Sequence, residues 1–218
     1  MTNAIKSGCY QQIIATEETK LPVSSQATAG QASANPAMFF RRWLANPLQM
    51  GSIVPSSSTL CARVVAQTRR APDEVVVELG AGTGVMSRAL LAAGVPAERL
   101  FVVEIVRDMA EHLGRVLPGV QVVQGDARQL QDLIPTRWHG RIGTVICGIP
   151  LVLLALAEQR RFIDAIEAVA PRRGFLHYSY CATSPLPARK HKLAAKREAW
   201  TARNFPPASV WRYTPAAG

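Results

Sequence analysis

Val75-Val76-Val77-Glu78-Leu79-Gly80-Ala81-Gly82-Thr83-Gly84 is the stretch on which the fold turns. Three consecutive valines and a leucine, carrying one acid, have the composition of a strand buried on both faces. Three glycines at alternate positions follow at once, where the backbone must turn from strand to helix and can approach a ligand closely. The stretch is read as a strand over 75–79 and a helix from 84 to 93. A dinucleotide fingerprint would need glycine at position 85, where Val85 stands. The spacing, with Glu78 before it, fits instead a ligand that has no pyrophosphate but a cationic amino-acid end.

Outward from this loop the chain alternates regularly. Strands are predicted over 100–104, 120–124, 142–147 and 174–180, with helices over 107–117 and 158–170 and an earlier helix over 57–70 that turns Leu60, Val64 and Val65 inward. Strands separated by helices mean βαβ units and a parallel sheet. At the end of the chain 192–203 has no decisive period and is left as helix or strand. Residues 209–213 read as a strand, and the Asn204-Phe205-Pro206-Pro207 turn before them makes a C-terminal antiparallel hairpin the expected ending.

Two further acids give the glycine loop its meaning. Glu104 ends the second strand, where a carboxylate can accept both hydroxyls of a ribose, and Ile105 beside it offers an apolar face to a base. Gly125-Asp126-Ala127 follows the third strand, where an acid can accept the amino group of adenine. All lie at the carboxyl edge of the sheet, the ligand edge of doubly wound folds. Either acid alone could be a helix cap; three signals in order point to S-adenosylmethionine, held by Glu78, Gly80, Gly82, Thr83, Gly84, Glu104, Ile105, Gly125, Asp126 and Ala127. The fold class expected is α/β, a doubly wound Rossmann-like methyltransferase sheet.

The fourth strand ends in Cys147-Gly148-Ile149-Pro150-Leu151. Methyltransferases acting on adenine amines carry an aromatic residue after this proline, on which the base stacks. Leu151 stands there instead, which disfavours a nucleobase and suits an aliphatic amine. Gly148, Ile149 and Pro150 are read as the turn that orients it. His177, Tyr178 and Tyr180 on the fifth strand are candidates to receive the amine's proton, with ordinary packing as the alternative for each. Tyr178 and Tyr180 are expected on opposite faces, with Tyr180 facing the site and favouring a quaternising nitrogen by cation–π attraction.

The 218 residues, 48% of them hydrophobic, suffice for one sizeable core. Residues 1–35 lack periodicity and are read as a tail ahead of a single domain over 36–218, whose 36–70 part forms a helical cap. Nothing in the tail reads as a secretory signal. Cys9, Cys61, Cys147 and Cys181 are too scattered for a disulfide framework or a zinc site, so no metal is expected. A net charge of +10 and a pI near 10.1 ask for an anionic partner, nucleic acid or an acidic membrane. Six basic residues between Arg189 and Arg203 face only Glu198. Near the start, Phe40, Trp43 and Leu44 share one face of a short helix beginning after Asn35-Pro36, with Phe39, Arg41 and Arg42 beside them. That face either docks on the core or lies in a membrane interface.

Phe39 to Ser56, Glu78 to Gly84, Gly148-Ile149-Pro150-Leu151 and Asn204 to Trp211 resemble the bacterial phospholipid N-methyltransferases, and the similarity covers about 36–213. The resemblance implies successive methylation of phosphatidylethanolamine toward phosphatidylcholine by a cytoplasmic enzyme, peripheral at the inner face of the membrane. It implies that Phe39, Phe40, Arg41, Arg42 and Trp43 touch the membrane, and Lys190, Lys192, Lys196 and Arg197 are read with them as its basic contact. A monomer on an anionic, phospholipid-bearing surface is expected, and nucleic acid is not the expected partner. Cys147 replaces an expected serine and Cys181 an expected glycine, which leaves other acceptors open, ornithine lipid among them. An adenine N6-methyltransferase acting on rRNA is the rival enzyme, and a noncatalytic membrane- or RNA-binding protein of the same fold is the rival outside enzymes.

Overall fold

A computed structural model of the chain describes residues 57–181, 183–203 and 207–216. The helix proposed after Pro36 and the turn at 204–206 lie outside the described residues. The order is α1 (Ser58–Gln67), β1 (Val75–Leu79), α2 (Val85–Ala92), β2 (Leu100–Glu104), α3 (Arg107–Val116), β3 (Gln121–Gln124), α4 (Leu130–Leu133), β4 (Ile142–Cys147), α5 (Leu156–Val169), β5 (Phe175–Ser179), β6 (Leu193–Thr201) and β7 (Ala208–Pro215). The seven strands form one sheet in the order β3-β2-β1-β4-β5-β7-β6. The first five are parallel, and β7 runs antiparallel to both β5 and β6. This is the doubly wound sheet and C-terminal hairpin expected from the sequence.

Each face of the sheet is covered, which is why β1 is buried along its whole length. Val76, Val102, Ile146 and Leu176 point to the side on which α1, α2 and α3 pack through Leu60, Leu90 and Leu113. Val77, Leu79, Val103 and Val145 point to the other, against α4 and α5. In α5, Phe162, Ile163, Ile166 and Val169 recur with helical spacing and make one apolar stripe. Helix α1 starts on Ser57, whose hydroxyl accepts from the Leu60 amide at 3.2 Å. It stops at Gln67 rather than 70, because Thr68 is extended and the Arg69 amide turns to Thr144 Oγ1 at 2.9 Å. Cys61 joins Leu60 and Val64 as its third buried residue, and Val65 packs, partly buried, against the same core.

The basic segment that the sequence left open is strand β6 at the edge of the sheet. Lysine and arginine on an edge strand also discourage pairing with a further chain. Extension spreads its charges. Thr201 pairs with Ala208 near the carboxyl end of β5, whereas Leu193 pairs with Pro215 at the other end. The eight-residue span between them is roughly 26 Å at ~3.3 Å per residue.

Candidate active site

The glycine loop is shaped by what presses on it. Gly80 has φ +72°, and a Cβ there would lie 2.8 Å from Ile149 Cγ1, so both conformation and space demand glycine. The Gly82 amide donates to Glu104 Oε2 at 3.0 Å, and the Val106 amide to Glu104 Oε1 at 3.0 Å. The acid at the tip of β2 thus locks the loop after β1 while each oxygen keeps room for a further donor. Behind the loop Glu78 is wholly buried. Its Oε2 accepts from Ser87 Oγ at 2.6 Å, and its Oε1 has no partner among the described residues. Burial pushes the Glu78 carboxyl up to about 7, against the Ser87 hydrogen bond.

A cleft with about 400 Å³ of empty space opens beside the loop. Gly80, Glu104, Ile105, Gly125, Asp126, Ala127 and Ile149 line it together with Val103, Arg128 and Phe162. Asp126 caps the turn at 127–129 through the Arg128 amide, 2.9 Å away. It also receives the Arg128 guanidinium as a fork, Nε to Oδ1 at 3.0 Å and Nη2 to Oδ2 at 2.5 Å. Burial would raise this carboxyl, but its bonds to Arg128 outweigh that and hold it below the usual range. Arg128 Nη1 then reaches Glu158 in the first turn of α5.

At the acceptor side the Gly148 amide donates to Leu79 O at 2.8 Å. A Cβ on Gly148 would lie 2.4 Å from the Tyr178 hydroxyl and 2.9 Å from Gly80 O. Tyr178 therefore puts its hydroxyl where the ends of β1 and β4 meet. Tyr178 and Tyr180 pack against the same core, contrary to the expectation of opposite faces. Tyr178 is on β5 and Tyr180 stands just past its end, two residues on, and a period of two returns to the same side. Leu151, expected at the acceptor approach, is wholly buried under the turn, as is Cys147. The half-buried Pro150, Val152, Leu153 and Leu154 are what the turn displays. Gln159, also fully buried, donates to Leu151 O and Leu154 O at 3.0 Å each and fixes the turn.

His177 lies on the other face, with Nδ1 2.9 Å from Cys147 O. A carbonyl only accepts, so Nδ1 carries the hydrogen and Nε2 is a bare lone pair without a partner among the described residues. Burial pushes its pKa down to about 4. A ring that stays neutral at physiological pH is a poor store for the acceptor's proton, and packing accounts for it.

No family model matches the chain. A curated relative, the ornithine lipid N-methyltransferase of Singulisphaera acidiphila, is 27% identical over 140 residues, 63% of this chain and 73% of that protein. Magnesium protoporphyrin IX methyltransferase from Synechocystis PCC 6803, solved with bound S-adenosylmethionine, superposes with a TM-score of 0.57 at 15% identity, covering 86% of this chain and 100% of that one. The fold is that of the class I S-adenosylmethionine-dependent methyltransferases. The Burkholderia thailandensis 1,6-didemethyltoxoflavin N1-methyltransferase, solved with S-adenosylhomocysteine, gives 0.58 at 17% identity over 90% and 94% of the two chains.

Within that fold the residues read from the sequence divide into groups. Gly80, Glu104, Ile105, Gly125, Asp126 and Ala127 meet in the cleft. Glu78, Gly82 and Gly84 shape it from behind: Gly84 faces Leu113 of α3, and Thr83 is exposed. Arg128 and Phe162 escaped the sequence reading, although an arginine two residues after the adenine-side acid was a usable signal. Phe162 carried none beyond its place in a helical stripe. Phe39, Phe40, Arg41, Arg42 and Trp43 lie outside the described residues. Lys190 and Lys192 flank His191, whose Nε2 lies 2.8 Å from Gln159 Oε1 in the first turn of α5, and Lys196 and Arg197 sit mid-strand in β6. Lys196 pairs with Glu198 at 2.9 Å, and Arg197 lies over the Trp211 ring. Among the described residues no helix is long and apolar enough to cross a membrane.

Proposed function

We propose that the chain is an S-adenosylmethionine-dependent N-methyltransferase whose acceptor is the amine of a lipid, with ornithine lipid as the leading substrate. The observation that carries this is the ornithine lipid N-methyltransferase relative, matched over 73% of its own length by a chain that has a class I methyltransferase fold and a cleft lined by Glu104 and Asp126. Phosphatidylethanolamine, implied by the family resemblance of the sequence motifs, is the second reading. The two share their chemistry, a primary amine on an aliphatic chain presented at a membrane.

The cleft fits the cofactor. Glu104, already fixed by two amides, would accept the ribose hydroxyls, and Asp126 the adenine amine, with Ile105 and Ile149 against the base. The buried Glu78, with Oε1 unpartnered among the described residues behind a glycine cradle, supplies a hydrogen-bond acceptor toward the place where the cationic amino-acid end would lie. When bound, S-adenosylmethionine would supply an electrophilic sulfonium methyl to the lone pair of the amine, with S-adenosylhomocysteine as the leaving group. The chain has then to orient a neutral amine and exclude water. The Tyr178 hydroxyl, beside Gly80 O and Gly148, accepts from the amine and aims its lone pair. The hydrophobic turn 150–154 flanks the approach and keeps it dry. After transfer the surplus proton leaves to water, and the methylated amine can return for another cycle.

An anionic membrane is the proposed partner surface, contacted by Phe39, Phe40, Arg41, Arg42 and Trp43 at headgroup depth and drawn in by the positive charge of the body. The test is incorporation of labelled methyl groups from the cofactor by purified protein offered vesicles with ornithine lipid, vesicles with phosphatidylethanolamine, or rRNA. Label in the lipid fraction supports the proposal; label confined to rRNA overturns it.

A further inference from the structure

We propose that Arg128 is a positioning residue that makes the site selective for the 6-amino group of the cofactor's base, by presenting Asp126 in one orientation. The inference rests on the cofactor reading above and goes beyond it, since nothing in the motifs assigns Arg128 a role.

Asp126 receives three donors from one residue: the Arg128 amide at 2.9 Å, Nε at 3.0 and 2.9 Å to its two oxygens, and Nη2 at 2.5 Å. The three hydrogens make four contacts, two on each oxygen, because the Nε hydrogen is shared between them, so of the roughly four acceptor positions of a carboxylate only the one that this shared hydrogen half fills is left for a further donor. A fork to two atoms and a bond to a backbone amide fix the carboxylate in rotation as well as position, which a single point charge would not do. The arginine is itself anchored. Its Nη1 bonds Glu158, and its guanidinium lies 5.9 Å from the centroid of Phe162, a ring that lines the cleft. Glu158 also takes Arg161 at 3.4 Å. The carboxylate therefore presents one oriented acceptor at the cleft wall, and Arg128 shields the rest of it.

The anchor reaches further. Glu158 precedes Gln159, which holds the carbonyls of the acceptor turn at Leu151 and Leu154. The first turn of α5 thus ties the base end of the cofactor to the turn that faces the acceptor.

The experiment compares binding of S-adenosylhomocysteine with its inosine counterpart, in which the 6-amino group is replaced by oxygen. Wild type is expected to prefer the adenine compound roughly ten- to a hundredfold, the weight of a hydrogen bond to a charged acceptor. Arg128→Ala should bring the two within a few-fold of each other, chiefly through loss of affinity for the adenine compound. A residue needed only for folding would weaken both alike. Should Arg128→Ala not fold, Arg128→Lys keeps the charge without the fork and is expected to lose most of the preference. A wild type that does not discriminate, or a folded variant that discriminates as wild type does, overturns the assignment of Arg128. A wild type that binds neither compound overturns the cofactor reading itself, which is a separate failure.

Discussion

The Gly82 amide and the Glu104 carboxylate, 3.0 Å apart, join the loop after β1 to the tip of β2, so the cofactor loop and the acid that would read the ribose are one rigid unit. Glu104→Ala is expected to lower affinity for S-adenosylhomocysteine by about 2 to 4 kcal/mol, the weight of two hydrogen bonds to a charged acceptor. Calorimetry is the measurement. Unchanged binding would remove Glu104 from the site.

Gly148 has no room for a side chain. Gly148→Ala sets a methyl 2.4 Å from the Tyr178 hydroxyl and should cost about 1 to 3 kcal/mol of stability with a marked fall in turnover. Adding Tyr178→Phe removes the hydroxyl from the clash, so stability should recover in part. If the hydroxyl also orients the acceptor, turnover should not recover with it. Denaturant melts and turnover measured on wild type, Gly148→Ala, Tyr178→Phe and the double variant separate the two effects. Full recovery of turnover in the double variant would leave Tyr178 with a packing role only.

Two buried groups give the protein opposed responses to pH. Glu78, raised to about 7 from an ordinary 4.5, keeps its proton in the folded state longer than in the unfolded one, so its contribution is present below 4.5 and is lost as pH rises to 7. His177, lowered to about 4 from 6.5, gains its proton more readily when unfolded, so its contribution is present above 6.5 and is lost as pH falls to 4. Between 4.5 and 6.5 the slopes oppose. Glu78→Gln should therefore expose a steeper loss of stability on acidification and add on the order of 3 kcal/mol at pH 8. Chemical denaturation across that range checks it, and a variant whose stability follows the wild-type curve would show that Glu78 titrates normally.

Phe40→Ala with Trp43→Ala should weaken sedimentation with anionic vesicles, because an interfacial helix would lose its bulky face while Arg41 and Arg42 still attract the surface. The protein should stay folded. Unfolding would instead mean that the face docks on the core, and normal vesicle binding would place the contact elsewhere.

Most strands were legible because a sheet buried on both faces demands continuous apolar runs, and Glu104 and Asp126 stand at or just beyond the ends of β2 and β3, while the order of the strands in the sheet was not read from the sequence. Residues that act through geometry rather than pattern were harder to see. Leu151 reads as a substitute for a ring, yet it is turned into the core beneath the turn. Arg128 was harder to see: its spacing two residues after Asp126 was a signal for the fork, but its reach to Glu158 in α5, 30 residues on, has no sequence signature. The Arg189 to Arg203 segment reads as one basic patch only until the chain is extended, when its ends separate along β6.

The most direct test of the central claim is mass spectrometry of lipids from a host that makes ornithine lipid and phosphatidylethanolamine but methylates neither, with and without this protein. Ornithine lipid carrying one or more added methyl groups is the expected result, with methylated phosphatidylethanolamine instead supporting the second reading. Unchanged lipids alongside newly methylated adenine in RNA would contradict the claim.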